Sequence, residues 1–230
     1  MERVRPAVKR LILFDIDGTL LLCGPQVRPA LADTLVELFG TTGNVDTYDF
    51  GGRTDPRIVI DLLTRAGIPE TEVRARMDEV RAGYVKRLDQ ILDRRRMRLL
   101  PGVSEALEHL AGRDDVALGL VTGNWEPGAR TKLSRFDLNR YFPFGAFGCD
   151  AVDRPDLPPV ALDRAEKHLG RRFRPEETLI VGDTVHDVAC AQAHGIPVLA
   201  VATGRTSAET LRAAGADRVV EDLTAVGDWF

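Results

Sequence analysis

Two hydrophobic periods alternate along most of this 230-residue chain. Leu11-Ile12-Leu13-Phe14 is a short unbroken apolar run between Lys9-Arg10 and Asp15, the pattern of a strand buried on both faces. From residue 27 to about residue 98 the period changes. Apolar residues recur there at helical spacing, as at Leu31, Leu35 and Leu38 and again at Ile58, Leu62 and Leu63, within charged stretches that hold no convincing strand. Pro101-Gly102 then punctuates the chain, and strands and helices alternate to its end. The pattern predicts a helix over 103–110, a strand over 116–121, a helix over 127–136, a short strand over 144–147 and a helix over 156–169. It continues with a strand over 178–181, a helix over 184–194 capped by Thr184, a strand over 198–201, a helix over 207–214 stopped by Gly215, and a last strand at 218–220.

Strands that alternate with helices of ten or so residues build right-handed βαβ units. The expected fold is therefore α/β: a doubly wound, Rossmann-like parallel sheet with helices on both faces. The helical stretch interrupts this alternation as an insertion. The expected organisation is an α/β core domain from residues 1–22 and 99–230 and a small all-helical domain from residues 23–98. Gly-Arg-Thr occurs at both Gly52 and Gly204, a match too short to signal a repeat, and no low-complexity linker is present.

Composition narrows the partners. With 44% hydrophobic residues, the chain can bury a substantial core. The 31 basic and 35 acidic residues leave a formal charge of -4, so the totals suggest no basic face for nucleic acid. The run Arg94, Arg95, Arg96 and Arg98 reads as a solvated helix end. Cys23, Cys149 and Cys190 are odd in number and lack CxxC spacing, which gives neither a disulfide framework nor a zinc site and fits a reducing compartment. The apolar run behind the basic start is four residues long, too short for a signal-peptide core, and nothing approaches the ~20 apolar residues of a membrane span. A soluble, cytoplasmic protein is expected, with no nucleic-acid or membrane partner and with its oligomeric state, monomer or homodimer, left open.

In a doubly wound sheet, ligands sit beyond the carboxyl ends of the strands, so the residues that follow each strand carry the functional signal. After the first strand comes Asp15-Ile16-Asp17-Gly18-Thr19-Leu20. Two carboxylates this close at a buried edge repel each other, and both ionise only where a cation or several N–H groups compensate. The second core strand runs into Thr122-Gly123-Asn124: a hydroxyl, a residue that permits close approach and an amide, a set that suits phosphate and equally suits a turn. The strand at 178–181 runs into Gly182-Asp183-Thr184-Val185-His186-Asp187. Asp183, before the helix, is a metal-ligand candidate, whereas Asp187 in the first helical turn is open to a simple dipole role.

Occurring in this order, DxDGT, a helical insertion, TGN and GDTxxD resemble motifs I, II and IV of the haloacid dehalogenase-like (HAD) hydrolase superfamily, over nearly the whole chain. The DIDGTL start, the helical insertion and the tail from Val201-Ala202-Thr203-Gly204 to Ala216-Asp217 are similar to the phosphoglycolate phosphatase and β-phosphoglucomutase-like branch, whose members carry a small helical cap. The resemblance implies that Asp15 is a nucleophile that takes up a phosphoryl group and that Asp17 is the general acid and base. It implies Mg²⁺ held by Asp15, the backbone carbonyl of Asp17 and Asp183, with Asp187 behind them, and phosphate oxygens received by Thr122 and the amides of Gly123 or Asn124. Where the family places a lysine, commonly as Lys-Pro, this chain reads Arg154-Pro155. Arg154 carries the charge but presents it as a planar fork, and Lys167 is a more distant alternative.

The segment Gly51-Gly52-Arg53-Thr54-Asp55 resembles the cap loop that faces the active site in this branch, with Arg53 able to reach an anionic part of a substrate; it also reads as a helix start capped by Thr54. His186 reads as a surface residue, Cys23 as packing, and Trp125 as either a pocket wall or a hydrophobic plug. The expected activity is hydrolysis of a small phosphorylated metabolite, phosphoglycolate or a sugar phosphate. Phosphoryl transfer of the β-phosphoglucomutase kind is the alternative, and a non-catalytic binding module a more distant one. Hydrolytic dehalogenation has no leaving alkoxide to protonate, so Asp17 argues against it. Closure of the cap is expected to hinge near residues 20–25 and 99–102.

Overall fold

The computed structural model describes residues 8–224. Its elements, in chain order, are β1 (Arg10–Phe14), β2 (Leu21–Leu22), α1 (Val27–Phe39), α2 (Asp55–Arg65), α3 (Glu70–Ala75), α4 (Met77–Ile91), β3 (Arg98–Leu99), α5 (Val103–Ala111) and β4 (Val116–Val121). They continue as α6 (Glu126–Ser134), β5 (Gly145–Ala146), α7 (Leu157–Leu169), β6 (Thr178–Gly182), α8 (Val185–Gln192), β7 (Val198–Val201), α9 (Ala208–Ala213) and β8 (Arg218–Val220). Residues 1–7 and 225–230 of the expected core domain lie outside the described residues.

Six strands form one sheet in the order β5-β4-β1-β6-β7-β8, and every pairing in it is parallel. The chain winds outward through β4 and β5, then returns to the centre and winds the other way through β6, β7 and β8. Strand order therefore reverses beside β1, and the crevice at the carboxyl ends of β1 and β6 is the ligand position of this architecture. Alternate residues of β1 serve opposite layers. Ile12 and Phe14 join Val103, Leu107, Ala129 and Leu133 of α5 and α6, while Leu11 and Leu13 join Leu157 and Ala161 of α7, Val188 of α8 and Leu211 of α9. Burial on both faces explains why β1 reads as a continuous apolar run rather than as an alternation.

Helices α1 to α4 bury their apolar stripes mainly on one another, α1 against α4 and α2 against α3. Helix α4 also packs on α6, where Tyr84 meets Trp125 with ring centroids 5.7 Å apart. The apolar core of the helical segment is thus continuous with the α5/α6 side of the sheet. No helix among the described residues is long and apolar enough to cross a membrane.

The local departures from the pattern have physical causes. β2 and β3 form an antiparallel pair, Leu21 opposite Leu99 and Leu22 opposite Arg98, extended by a 3.0 Å bond from the Leu100 N–H to the Leu20 carbonyl. Two residues per strand are too few to show a period, and the pair joins the two stretches near which the hinges are expected. The strand expected over 144–147 retains ladder bonding only at β5, and a 3₁₀ turn at Arg154–Asp156 precedes α7 and carries Arg154 into the interior.

Candidate active site

Asp15 leaves β1 with its backbone N–H bonded to Val181 of β6 at 2.9 Å, and Asp183 leaves β6 itself. Asp187 is the third residue of α8, where it closes a capping box: the Thr184 N–H and hydroxyl donate to Asp187 Oδ2 at 3.0 and 2.6 Å. Because β1 and β6 are neighbours, the three acids converge. One carboxylate oxygen of each lies within 4.8 Å of the other two, and all three side chains are buried.

One cation serves part of this cluster. Arg154 Nη2 lies 3.2 Å from Asp15 Oδ1 and also contacts Asp187 Oδ1. The Asp15 carboxyl is pushed up to about 6, chiefly by burial, with Arg154 opposing the shift, Asp187 and Asp17 adding to it and a hydrogen bond from Thr122 opposing it. Asp183 is pushed well above the usual carboxylate range by burial and by Asp187 and Asp15. Its hydrogen-bond support is the Thr19 hydroxyl at 3.1 Å, and among the described residues no ion pair reaches it. The carboxylate fills a slot between backbone segments: a Cβ on Gly18, whose φ is +89°, would stand 2.3 Å from Asp183 Oδ2, and one on Gly204 would stand 1.7 Å from it.

Asp17 points elsewhere. Its Oδ2 accepts from Lys132 Nζ at 2.6 Å and from Asn124 Nδ2 at 2.9 Å. Lys132 also donates to Asn124 Oδ1 at 2.6 Å, and Asn124 Nδ2 donates to the Thr122 hydroxyl oxygen at 2.8 Å. A hydrogen-bonded chain therefore runs from Thr122 through Asn124 and Lys132 to Asp17. Burial works against the Lys132 charge, but Asp17 and its neighbours hold the ammonium well above the usual lysine range.

The helical segment lies directly on this site. The Asp55 N–H donates to the Gly123 carbonyl at 2.8 Å, the Trp125 N–H donates to Asp55 Oδ2 at 2.8 Å, and Arg154 Nη1 donates to the Gly52 carbonyl at 3.2 Å. Thr54 caps α2 by accepting from the Arg57 N–H at 3.3 Å, and its hydroxyl donates to the Val152 carbonyl. The loop is a capped helix start, and its backbone lies against the turn after β4. Arg53 approaches through its main chain, while its guanidinium lies 4.0 Å from Asp61 and over the Tyr48 ring, about one third exposed at 35%. A cleft of about 600 Å³ opens between Arg28, Tyr48 and Asp49 on the helical side and Arg205, Thr206 and Ser207, next to Gly204, on the sheet side.

The remaining expectations divide. Trp125 is a plug, 2% exposed under Tyr84. Cys23 is buried packing, its thiol pushed up to about 12 by burial. His186 is half-buried against Gly52 rather than on the surface, and its pKa is lowered by burial and by Arg53 and Arg154. Lys167 is exposed and paired with Asp163 at 2.7 Å, outside the acid cluster. Thr19 and Asp55 lie inside the two quoted motifs without a role of their own, and Lys132 lies outside every motif, although Gly128, Ala129, Lys132 and Leu133 share one buried stripe of α6, and a lysine on an apolar stripe is a readable signal.

Comparison with known proteins gives the same assignment over most of the chain. The family model described as haloacid dehalogenase-like hydrolase matches residues 12–201. Pyrophosphatase PpaX of Oceanobacillus iheyensis is 26% identical over 96% of this chain and 98% of its own length. A phosphoglycolate phosphatase of Rhodospirillum rubrum is 28% identical over 96% of this chain and 90% of its own. Among solved structures, CbbY from Rhodobacter sphaeroides, crystallised in complex with phosphate, shares the fold with a TM-score of 0.66 at 18% identity, covering 96% of this chain and 97% of that one.

Proposed function

The chain belongs to the haloacid dehalogenase-like hydrolases, and on that footing we propose that it is a Mg²⁺-dependent phosphatase acting on a small organic phosphate monoester through an aspartyl-phosphate on Asp15. The observation that carries this reading is the pairing of a buried Asp15 beside Arg154 with a second carboxylate, Asp17, held apart from the acid cluster by Lys132 and Asn124. Two acids two residues apart in different surroundings suit the two tasks of nucleophile and proton carrier.

In this reading a carboxylate oxygen of Asp15 attacks phosphorus in line and the ester P–O bond breaks. Asp17 gives its proton to the departing oxygen, which leaves as an alcohol. Asp17, now a carboxylate, takes a proton from the water that cleaves the aspartyl-phosphate, which releases inorganic phosphate and restores Asp15. Thr122 and the amides of Gly123 and Asn124 receive the non-bridging oxygens, and Arg154 balances the charge that gathers at Asp15.

The residues present fit a hard divalent cation. Asp183 is a buried carboxylate with a single hydroxyl donor and no ion pair among the described residues, set in a slot that Gly18 and Gly204 leave open. Asp15, Asp183 and the Asp17 backbone carbonyl would hold Mg²⁺, with Asp187 supporting them through Arg154 and Thr184, and the ion would offset charge on the transferred phosphoryl oxygens.

Residues 23–98 act as a cap on a core of residues 1–22 and 99–230, closing over small substrates by way of the 51–55 loop. Arg53 turns from Asp61 to an anionic part of the substrate. Phosphoglycolate and sugar phosphates are the substrate classes this reading favours, and relatives named phosphoglycolate phosphatase support the first. Hydrolysis of p-nitrophenyl phosphate by wild type, Asp15→Asn and Asp17→Asn, with Mg²⁺ and with EDTA, tests it. Metal-dependent phosphate release lost in both variants is expected, and full activity in Asp15→Asn refutes it.

A further inference from the structure

We infer that Lys132 is a positioning residue that sets the orientation of Asp17 for the leaving-group step, a role that rests on the phosphatase reading above. Asp17 is two residues from Asp15 and its side chain is 38% exposed, so nothing in its own burial holds it in one rotamer. A free carboxylate there would be drawn toward Arg154 and the cation site that gather the other three acids. Lys132 and Asn124 instead both donate to Oδ2, while among the described residues Oδ1 meets only the Cys23 thiol, at 3.8 Å. Among the described residues, one oxygen is tethered by two nitrogen donors and the other by none.

The tether is rigid. Lys132 is 2% exposed on a stripe of α6 with Gly128, Ala129 and Leu133, and a lysine is almost never buried this far unless paired. Thr122 and Asn124 follow β4 directly and α6 begins two residues later, so the phosphate-binding turn and the Lys132 ammonium belong to one β4–turn–α6 unit. The two nitrogen donors that orient the acid thereby belong to the sheet domain, not to the helical segment above it. The contacts also divide two cations between two tasks: Arg154 is paired with Asp15 and Asp187, and Lys132 with Asp17 and Asn124. Lys132 makes no ion pair with the nucleophile among the described residues.

The test separates a leaving group that needs a proton from one that does not. Wild type, Lys132→Met and Lys132→Arg are assayed with Mg²⁺ on p-nitrophenyl phosphate and on an alkyl phosphate drawn from phosphoglycolate and glycerol phosphate. Values of kcat/KM are compared because they report the leaving-group step. General acid catalysis contributes roughly 10²- to 10⁴-fold, so Lys132→Met is expected to lose about 10²-fold or more on the alkyl ester and less than about tenfold on the nitrophenyl ester. KM should change by less than about threefold, and Lys132→Arg should recover part of the loss. In an Asp17→Asn background, where turnover is lost, Lys132→Met should slow single-turnover release of the alcohol from the alkyl ester by less than about threefold, because a residue that acts through Asp17 has nothing left to orient. Equal losses on both esters, a raised KM with weakened binding of inorganic phosphate, or additive losses in the Asp17→Asn background overturn the assignment of Lys132 while leaving an active phosphatase. Absence of phosphate release by wild type from either ester overturns the phosphatase reading, and this assignment with it.

Discussion

Gly123 is the point at which the helical segment meets the turn after β4, and replacing it with alanine tests whether that contact matters. A Cβ there would stand 2.1 Å from the Arg53 carbonyl oxygen and 2.8 Å from the Thr54 Cα. Ordinary C···O contacts lie at about 3.3 Å or more, so the 51–55 loop must recoil by roughly 1 Å. Gly123 has no left-handed φ, and β4 itself is untouched. The recoil breaks the Asp55 to Gly123, Trp125 to Asp55 and Arg154 to Gly52 hydrogen bonds, which at roughly 0.5–1.5 kcal/mol each disfavour the docked arrangement by about 1.5–4.5 kcal/mol. At tenfold per 1.4 kcal/mol, kcat/KM for Gly123→Ala should fall between about tenfold and about a thousandfold, with far-UV dichroism unchanged and faster proteolytic cleavage of the 51–55 loop. A variant with unaltered dichroism and kcat/KM within about threefold of wild type would show that docking of this loop is not part of turnover.

Two further outcomes follow from the charges at the strand ends. Because burial raises Asp15 to about 6 and Asp183 well above the carboxylate range in the absence of a cation, Mg²⁺ must displace protons. Its affinity should weaken by roughly tenfold for each pH unit below about 6 per proton displaced, measured by titration calorimetry in buffers of different ionisation enthalpy; an affinity that is flat from pH 5 to pH 8 contradicts this. Arg154→Met should cost about 3–5 kcal/mol in urea unfolding at pH 8, because Asp15 and Asp187 lose their buried partner, whereas Arg154→Lys should keep activity within about tenfold; equal stability of the methionine variant and wild type would count against the pairing.

The sheet and the acid cluster were legible in the sequence for a common reason. A strand buried on both faces leaves an unbroken apolar run, and an acid that ends such a run is conspicuous, as at Asp15 and Asp183. Turn chemistry marked Thr122 and the Thr184 cap, and the charge of Arg154 at a position where lysine is usual was readable although its contacts were not. The β2–β3 pair escaped because two residues cannot establish a period, and its partners are 76 residues or more apart in sequence. Lys132 escaped because its partner Asp17 lies 115 positions away, so only the fold brings the two together. The guanidinium of Arg53 follows local chemistry, Tyr48 and Asp61, which no motif spacing encodes.

The β2–β3 ribbon also bears on how such a protein can change over time. The chain departs from the sheet and comes back to it through residues that face each other across an antiparallel pair, about 5 Å apart. Whatever is spliced between these stems meets the same two anchor points whatever its length, and lengthening a loop whose ends already touch costs little, roughly 0.6 kcal/mol per doubling. Helices could be added to, removed from or exchanged in the stretch from α1 to α4 without displacing β1, β4 or β6, so the helical segment can diversify while the strand ends that carry the acids stay in register.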